Sequence, residues 1–202
     1  MEQLLPRFRA AHTQVLGISV DSIYCHANWA RSLGGISFPL LADFEPKGEL
    51  GRSCGLYLDG PGIDDRATVV VDSSGIVRHA STVGPGGRRN IAELAALCET
   101  VDSAHGAGLE AFPAPPGLPQ GSTLYVKSNC GFSTAALIAC DNLHLQEQLE
   151  LRNVSDDEAA RSALVSLCGK DQAPCLVLEG EPIHESADII RSLVNASSDL
   201  AG

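Results

Sequence analysis

The segment TLYVKSNCGFSTAALIACDNL, residues 123–143, changes its period partway along. TLYVK, residues 123–127, reads as a strand, and CGFSTAALIACDNL, residues 130–143, reads as a helix. Cys130 therefore falls where strand gives way to helix. Helix N-termini expose N–H groups and a partial positive charge, and both stabilise a thiolate. Lys127 stands three residues earlier and adds a full positive charge. The pattern makes Cys130 a candidate nucleophile. The competing reading is a buried small hydrophobe, the commonest fate of a free cysteine.

Working outward, the same alternation continues. LQEQLELRNV (145–154) should hold a strand, and DDEAARSALVSLCG (156–169) reads as a helix with acids at its start and glycine at its end. PCLVLEGEPI (174–183) reads as a hairpin turning at Glu179-Gly180, and SADIIRSLV (186–194) as a closing helix. The first half alternates in the same way. Helices are expected over 2–12, 24–34, 47–55 and 88–101, strands over 13–20 and in FPLLAD, and a hairpin from RATVVVD (66–72) and IVRHAST (76–82). Between the halves, SAHGAGLEAFPAPPGLPQG (103–121) has lost all apolar period and reads as a Gly/Ala/Pro-rich linker. The expected organisation is a first domain over 1–102, the linker, and a second domain over 122–202. Strands alternating with helices indicate the α/β class.

Composition narrows the function. The chain has 202 residues, 44% of them hydrophobic, with a formal net charge of -11. That charge repels phosphate backbones and disfavours nucleic-acid binding. No apolar run approaches the roughly 20 residues of a membrane span. The opening MEQLLPRFRAAH has no signal-peptide core, so the expected location is cytoplasmic. Seven cysteines at irregular spacing, with no CxxC, argue against a disulfide framework and against a zinc knuckle. The six histidines show no metal-ligand spacing, and no metal site is expected. Cys54, Cys98 and Trp29 read as core, Cys168 as structural, and Cys175 as a strand residue facing the core. Cys140, ten residues after Cys130 on the same helix, lies about 15 Å away, beyond disulfide reach.

YVKSNCGFS, KDQAPCLVLEG and HESADIIRSL, in that order, resemble the landmarks of a glutaredoxin and of the related N-terminal domain of glutathione transferases. The resemblance covers residues 122–195 and implies a thioredoxin-like fold. It implies glutathione as co-substrate and disulfides of proteins or small molecules as substrates. Ser133 takes the place of a second cysteine, which leaves a one-thiol cycle at Cys130. Pro174 matches the family's cis-proline, Ala173 the backbone that pairs with glutathione, and Glu185 with Ser186 the pair that holds the γ-glutamyl end. Ser186 also reads as a helix N-cap. CGFS is in addition the signature of monothiol glutaredoxins that hold a [2Fe–2S] cluster with glutathione. Lys127 sits at the dithiol-type position, which keeps the cluster as the alternative.

TQVLGISVDSIYCHANWA, FPLLAD and RATVVVDSSGIVRHAS resemble a peroxiredoxin of the alkyl hydroperoxide reductase and thiol-specific antioxidant group, along residues 2–101. Arg66 matches the arginine that activates peroxide in that family. The family's peroxidatic cysteine belongs to a segment preceding the residues present. The expectation is a second thioredoxin-like fold, incomplete at its N-terminus, in a protein that is an antioxidant oxidoreductase. Two explanations stay open: a longer chain that restores the peroxidase, or a remnant that binds a peroxiredoxin or self-associates through exposed apolar edges.

Overall fold

A computed structural model describes residues 1–113 and 115–198. It divides into two compact units: Met1–His26 with Phe38–Pro113, and Ala27–Ser37 with the described residues that follow Pro113. The sequence reading ran the first domain unbroken from 1 to 102, whereas residues 27–37 group with the second unit. Among the described residues no helix is long and apolar enough to cross a membrane.

The chain opens with a 3-10 turn, Glu2–Leu4, and α1, Leu5–Ala10. There follow β1 (Gly17–Ser19), α2 (Ile23–Ser32), β2 (Leu40–Ala42), α3 (Glu49–Ser53), β3 (Tyr57–Leu58), β4 (Ile63–Asp64), β5 (Ala67–Val71), β6 (Val77–Thr82) and α4 (Ile91–His105). The expected 66–72/76–82 hairpin is β5–β6, antiparallel, with Ala67 opposite Thr82. The strands of this half form three separate two-stranded pieces: parallel β1–β2, then β3–β4, then β5–β6. Its buried core is small: Phe8 and Ala11 from the α1 side against Ala95 and Cys98 of α4. Polar ties reinforce that packing. The Arg7 guanidinium donates twice to Glu99, at 2.8 and 2.9 Å, and His12 Nδ1 lies 2.8 Å from Asp102 Oδ1. Ile18, Leu41, Val69, Val71 and Val77 are exposed.

The second unit carries β7 (Thr123–Val126), α5 (Gly131–Asn142), β8 (Glu150–Asn153), α6 (Glu158–Cys168), β9 (Cys175–Leu178), β10 (Glu181–Ile183) and α7 (Ser186–Ser197). Its sheet runs β10-β9-β7-β8, with β7 and β8 parallel and the β7–β9 and β9–β10 pairs antiparallel. This is the thioredoxin-like order that the glutaredoxin resemblance implies. The pleat sends successive side chains to opposite faces. Leu124, Val126 and Leu176 accordingly meet Ala136 and Cys140 of α5 and Ile189 and Leu193 of α7. Tyr125, Cys175 and Val177 meet Ala160 and Leu164 of α6 on the other face. A strand covered on both faces needs a continuous apolar run, and LYV supplies it. At the β9–β10 turn Glu179 and Gly180 both have positive φ, 52° and 89°, as a two-residue hairpin of this hand requires. Asp157 caps α6 by accepting the N–H groups of Ala159 and Ala160, at 2.8 and 3.1 Å.

The expected linker proves shorter than 103–121. Residues 103–105 continue α4. Near its other end, the Gly117 N–H donates to the Ala196 carbonyl at 2.8 Å and Leu118 packs against the second unit's core. Ala114 lies outside the described residues. Two side chains expected in the core are at the surface, Trp29 and Cys54. Trp29 sits on a short helix where the alanines take the inner face, Ala30 being buried. Cys54 follows α3 as its C-cap, a position that faces solvent.

Candidate active site

β7 ends at Val126 and the chain enters α5 through Lys127–Cys130. The loop is fixed from both sides. Asn129 adopts a left-handed φ of 55°, which asparagine tolerates better than most residues. The Ser128 N–H donates to Ser155 Oγ at 3.0 Å, and the Asn153 amide donates to Ser128 Oγ at 2.8 Å. The fully buried Ser133 hydroxyl accepts the Lys127 N–H at 3.0 Å, tying the first turn of α5 back to the end of β7. Cys130 stands at the N-cap with extended backbone, φ −108° and ψ 118°.

The first turn of α5 biases the thiol that opens it. The Cys130 thiol lies below its ordinary range, first through the Ser133 backbone N–H, then through the Ser133 hydroxyl. Burial opposes the shift, the Phe132 N–H adds to it, and Lys127 contributes least. Lys127 and the helix start thus act in the same direction, the helix start more strongly, and Lys127 is also engaged elsewhere. Its Nζ donates to the Asp171 carbonyl at 3.2 Å and lies 3.2 Å from Asp171 Oδ1. Arg161 approaches the other carboxylate oxygen at 2.9 Å. Together they hold Asp171 below the usual carboxylate range, Lys127 most of all. Phe132, two residues after Cys130, is 68% exposed.

Sheet register brings the remaining expected residues to the same end. Tyr125 of β7 pairs with Cys175 of β9, the last pair of that ladder, and Pro174 directly precedes it. Ile183 of β10 pairs with Leu176, which carries His184 and Glu185 level with Cys175 and Pro174. The end of β7, the start of β9 and the end of β10 thus lie at the same end of the sheet, and the segments that hold Cys130, Ala173, Pro174, Glu185 and Ser186 adjoin that end. The Ala173-Pro174 peptide is cis. Glu185, at φ 64°, occupies the N-cap of α7, and Ser186 is the first helical residue, so the expected cap role of Ser186 is not what forms. Gln172 Nε2 donates to Glu185 Oε1 at 3.3 Å. Asp171 and Gln172 were not singled out from sequence, although both lie in the KDQAP run before Pro174.

Arg66 belongs to the other unit. It is exposed, its N–H donates to Asp65 Oδ1 at 2.7 Å and its Nε to the Pro85 carbonyl at 3.1 Å. Burial pushes the Cys98 thiol of that unit up. In the second unit burial pushes Cys140 up to about 11 and Cys175 up to about 12. No metal set was expected from spacing, yet ligand atoms of Cys168, Cys175 and His184 lie within 4.8 Å of one another.

Residues 1–80 match the model of the AhpC/TSA family, and residues 123–183 match that of glutaredoxin. Alkyl hydroperoxide reductase E of Mycobacterium tuberculosis is 42% identical over 82 residues, which cover 41% of this chain and 53% of that protein. Alkyl hydroperoxide reductase C of Buchnera aphidicola is 30% identical over 106 residues, 50% of this chain and 53% of the relative. The chain spans about half the length of these curated relatives. A crystal structure of Enterococcus faecalis AhpC is 27% identical, with a TM-score of 0.47, and covers 55% of this chain and 67% of that one. Both matching families are oxidoreductases of thiol chemistry. The chain thus joins a peroxiredoxin segment of the AhpC/TSA family, residues 1–80, to a glutaredoxin domain over residues 123–183.

Proposed function

We propose that the second unit performs glutathione-dependent thiol–disulfide exchange through Cys130. The observation that carries this reading is the position of Cys130 at the N-cap of α5, where the Ser133 and Phe132 backbone N–H groups and the Ser133 hydroxyl shift its thiol toward the thiolate. The thiolate attacks the glutathione sulfur of a mixed disulfide. A new Cys130–glutathione bond forms, and the other thiol leaves as thiolate and takes a proton. A second glutathione thiolate attacks the bound glutathione sulfur, releasing oxidised glutathione and restoring the Cys130 thiolate. Ser133 offers no sulfur to divert this cycle into an internal disulfide. The Ala173 backbone beside Pro174 pairs with the cysteinyl amide of glutathione. Glu185, oriented by Gln172, and the N–H groups at the start of α7 around Ser186 take its charged γ-glutamyl end.

Peroxide reduction needs a thiolate facing Arg66. The Arg66 guanidinium is bonded to the Pro85 carbonyl, and Cys98 is held protonated by burial. We therefore make peroxidase activity conditional on a peroxidatic cysteine from outside these residues. A binding role for the first unit draws on its exposed Ile18, Leu41, Val69, Val71 and Val77, as a surface for a peroxiredoxin or a second copy.

The test is glutathione-dependent reduction of a small mixed disulfide by wild type and Cys130→Ser. Turnover that disappears in the variant supports the reading. Turnover by both, or by neither, overturns it. A brown, glutathione-dependent dimer after iron and sulfide reconstitution would instead favour the [2Fe–2S] alternative.

A further inference from the structure

A second cluster of sulfur and nitrogen is formed by Cys168, Cys175 and His184, none of them used in the chemistry assigned to Cys130. Cys168 is the last residue of α6, Cys175 the first of β9, and His184 follows β10 directly. The β9–β10 register sets His184 beside Cys175, and α6 ends against the same strand face, where Cys168 packs with Tyr125, Cys175 and Val177. The two sulfurs are 3.8 Å apart, and one ring nitrogen of His184 completes a triangle with no side above 4.8 Å. His184 Nδ1 is buried with no hydrogen-bond partner. A buried polar atom left unpaired carries a desolvation cost, so such an atom calls for a ligand.

We propose that Cys168, Cys175 and His184 form a binding site for a thiophilic closed-shell cation, zinc(II) or copper(I). The geometry fits. Two thiolates at about 2.3 Å from a tetrahedral ion stand about 3.8 Å apart. Two sulfurs and one imidazole suit these ions better than hard, oxygen-seeking ones. Three protein ligands leave a fourth position for water or an external thiol. Binding releases one proton from each thiol, so the site exchanges two protons for the cation. The ion also closes the segment 169–174, which joins two of its ligands and carries Asp171, Ala173 and Pro174.

The site does not depend on the role assigned to Cys130, and the experiment keeps the two apart. The full reduced chain is titrated with cobalt(II) and zinc(II), and with copper(I) in competition with a chromogenic chelator. Wild type, Cys130→Ser, Cys168→Ser and His184→Asn are compared, with circular dichroism to confirm that each is folded. The expected result is one ion per chain in wild type and in Cys130→Ser, with thiolate-to-cobalt charge-transfer absorption. Affinity falls at least about tenfold in Cys168→Ser and in His184→Asn. The cobalt spectrum of wild type tests the site even if a variant fails to fold. Binding of none of the three ions by wild type, or binding that survives in both folded ligand variants, overturns the proposal.

Discussion

The Lys127 ammonium lies 3.2 Å from Asp171 Oδ1 and donates to the Asp171 carbonyl, so the cation nearest in sequence to Cys130 is neutralised by a partner 44 residues away. The thiol depends mainly on the backbone and hydroxyl donors of its own helix, with Lys127 contributing least. That division of labour sets the first prediction. Ser133→Ala raises the Cys130 pKa more than Lys127→Met does, as read from the pH dependence of Cys130 alkylation by mass spectrometry. Ser133→Ala also leaves the Lys127 N–H unpaired and costs about 1–3 kcal/mol of stability. A larger shift in Lys127→Met would show that the ammonium governs the thiol.

Asp171→Asn acts in the opposite sense. Without the carboxylate, the Lys127 charge is free to favour the thiolate, and the Cys130 pKa falls below that of wild type. Stability moves the other way. Asp171 is depressed in the folded state, so its contribution is present above the unfolded carboxylate range and is lost as pH falls through its folded value. The stability gap between wild type and Asp171→Asn, measured by urea unfolding, is therefore open at neutral pH and closes in acid.

Thiol reactivity should follow burial. At neutral pH Cys130 alkylates first among the second unit's buried and half-buried thiols, while Cys140 and Cys175, pushed up to about 11 and about 12, stay protected until the chain unfolds. Peptide mapping after brief iodoacetamide treatment measures the order.

Gln172→Ala loosens Glu185 without touching the reacting sulfur. The KM for glutathione rises roughly severalfold while kcat at saturation holds, the signature of lost uniform binding. Steady-state kinetics with varied glutathione decide it. A fall in kcat with KM unchanged would place Gln172 in the chemical step.

Leu164, fully buried, fills the layer between α6 and the sheet. Leu164→Ala should cost about 2–5 kcal/mol in urea unfolding.

Local chemistry made much of the second unit readable. The apolar run LYV, the Asp157 cap and the Glu179-Gly180 turn each state a conformation within a few residues, and each forms. Cys130 was legible for the same reason, since strand, thiol and helix are contiguous. The pairing of Lys127 with Asp171 was not, because it crosses from the residue after β7 to the middle of the α6–β9 loop and no short-range pattern announces it. The Cys168–Cys175–His184 cluster escaped for a related cause. Spacings of seven and nine residues match no metal motif, and sheet register alone brings the three together. In the first half the alternation suggested one sheet, but strands of two to six residues pair only two by two. Short strands carry too few side chains for periodicity to say which neighbour they take.

The N-cap position of Cys130 has a thermodynamic corollary. The N–H groups that favour its thiolate have no anion to favour once that sulfur is bonded to another. Folding therefore favours the reduced form over the oxidised one. In the proposed cycle a mixed disulfide at Cys130 is correspondingly easier to reduce than one at an unshifted thiol, and Cys130 is the better leaving group. The first turn of α5 thus stores redox bias as well as structure, and it sets the direction in which electrons prefer to flow through the domain.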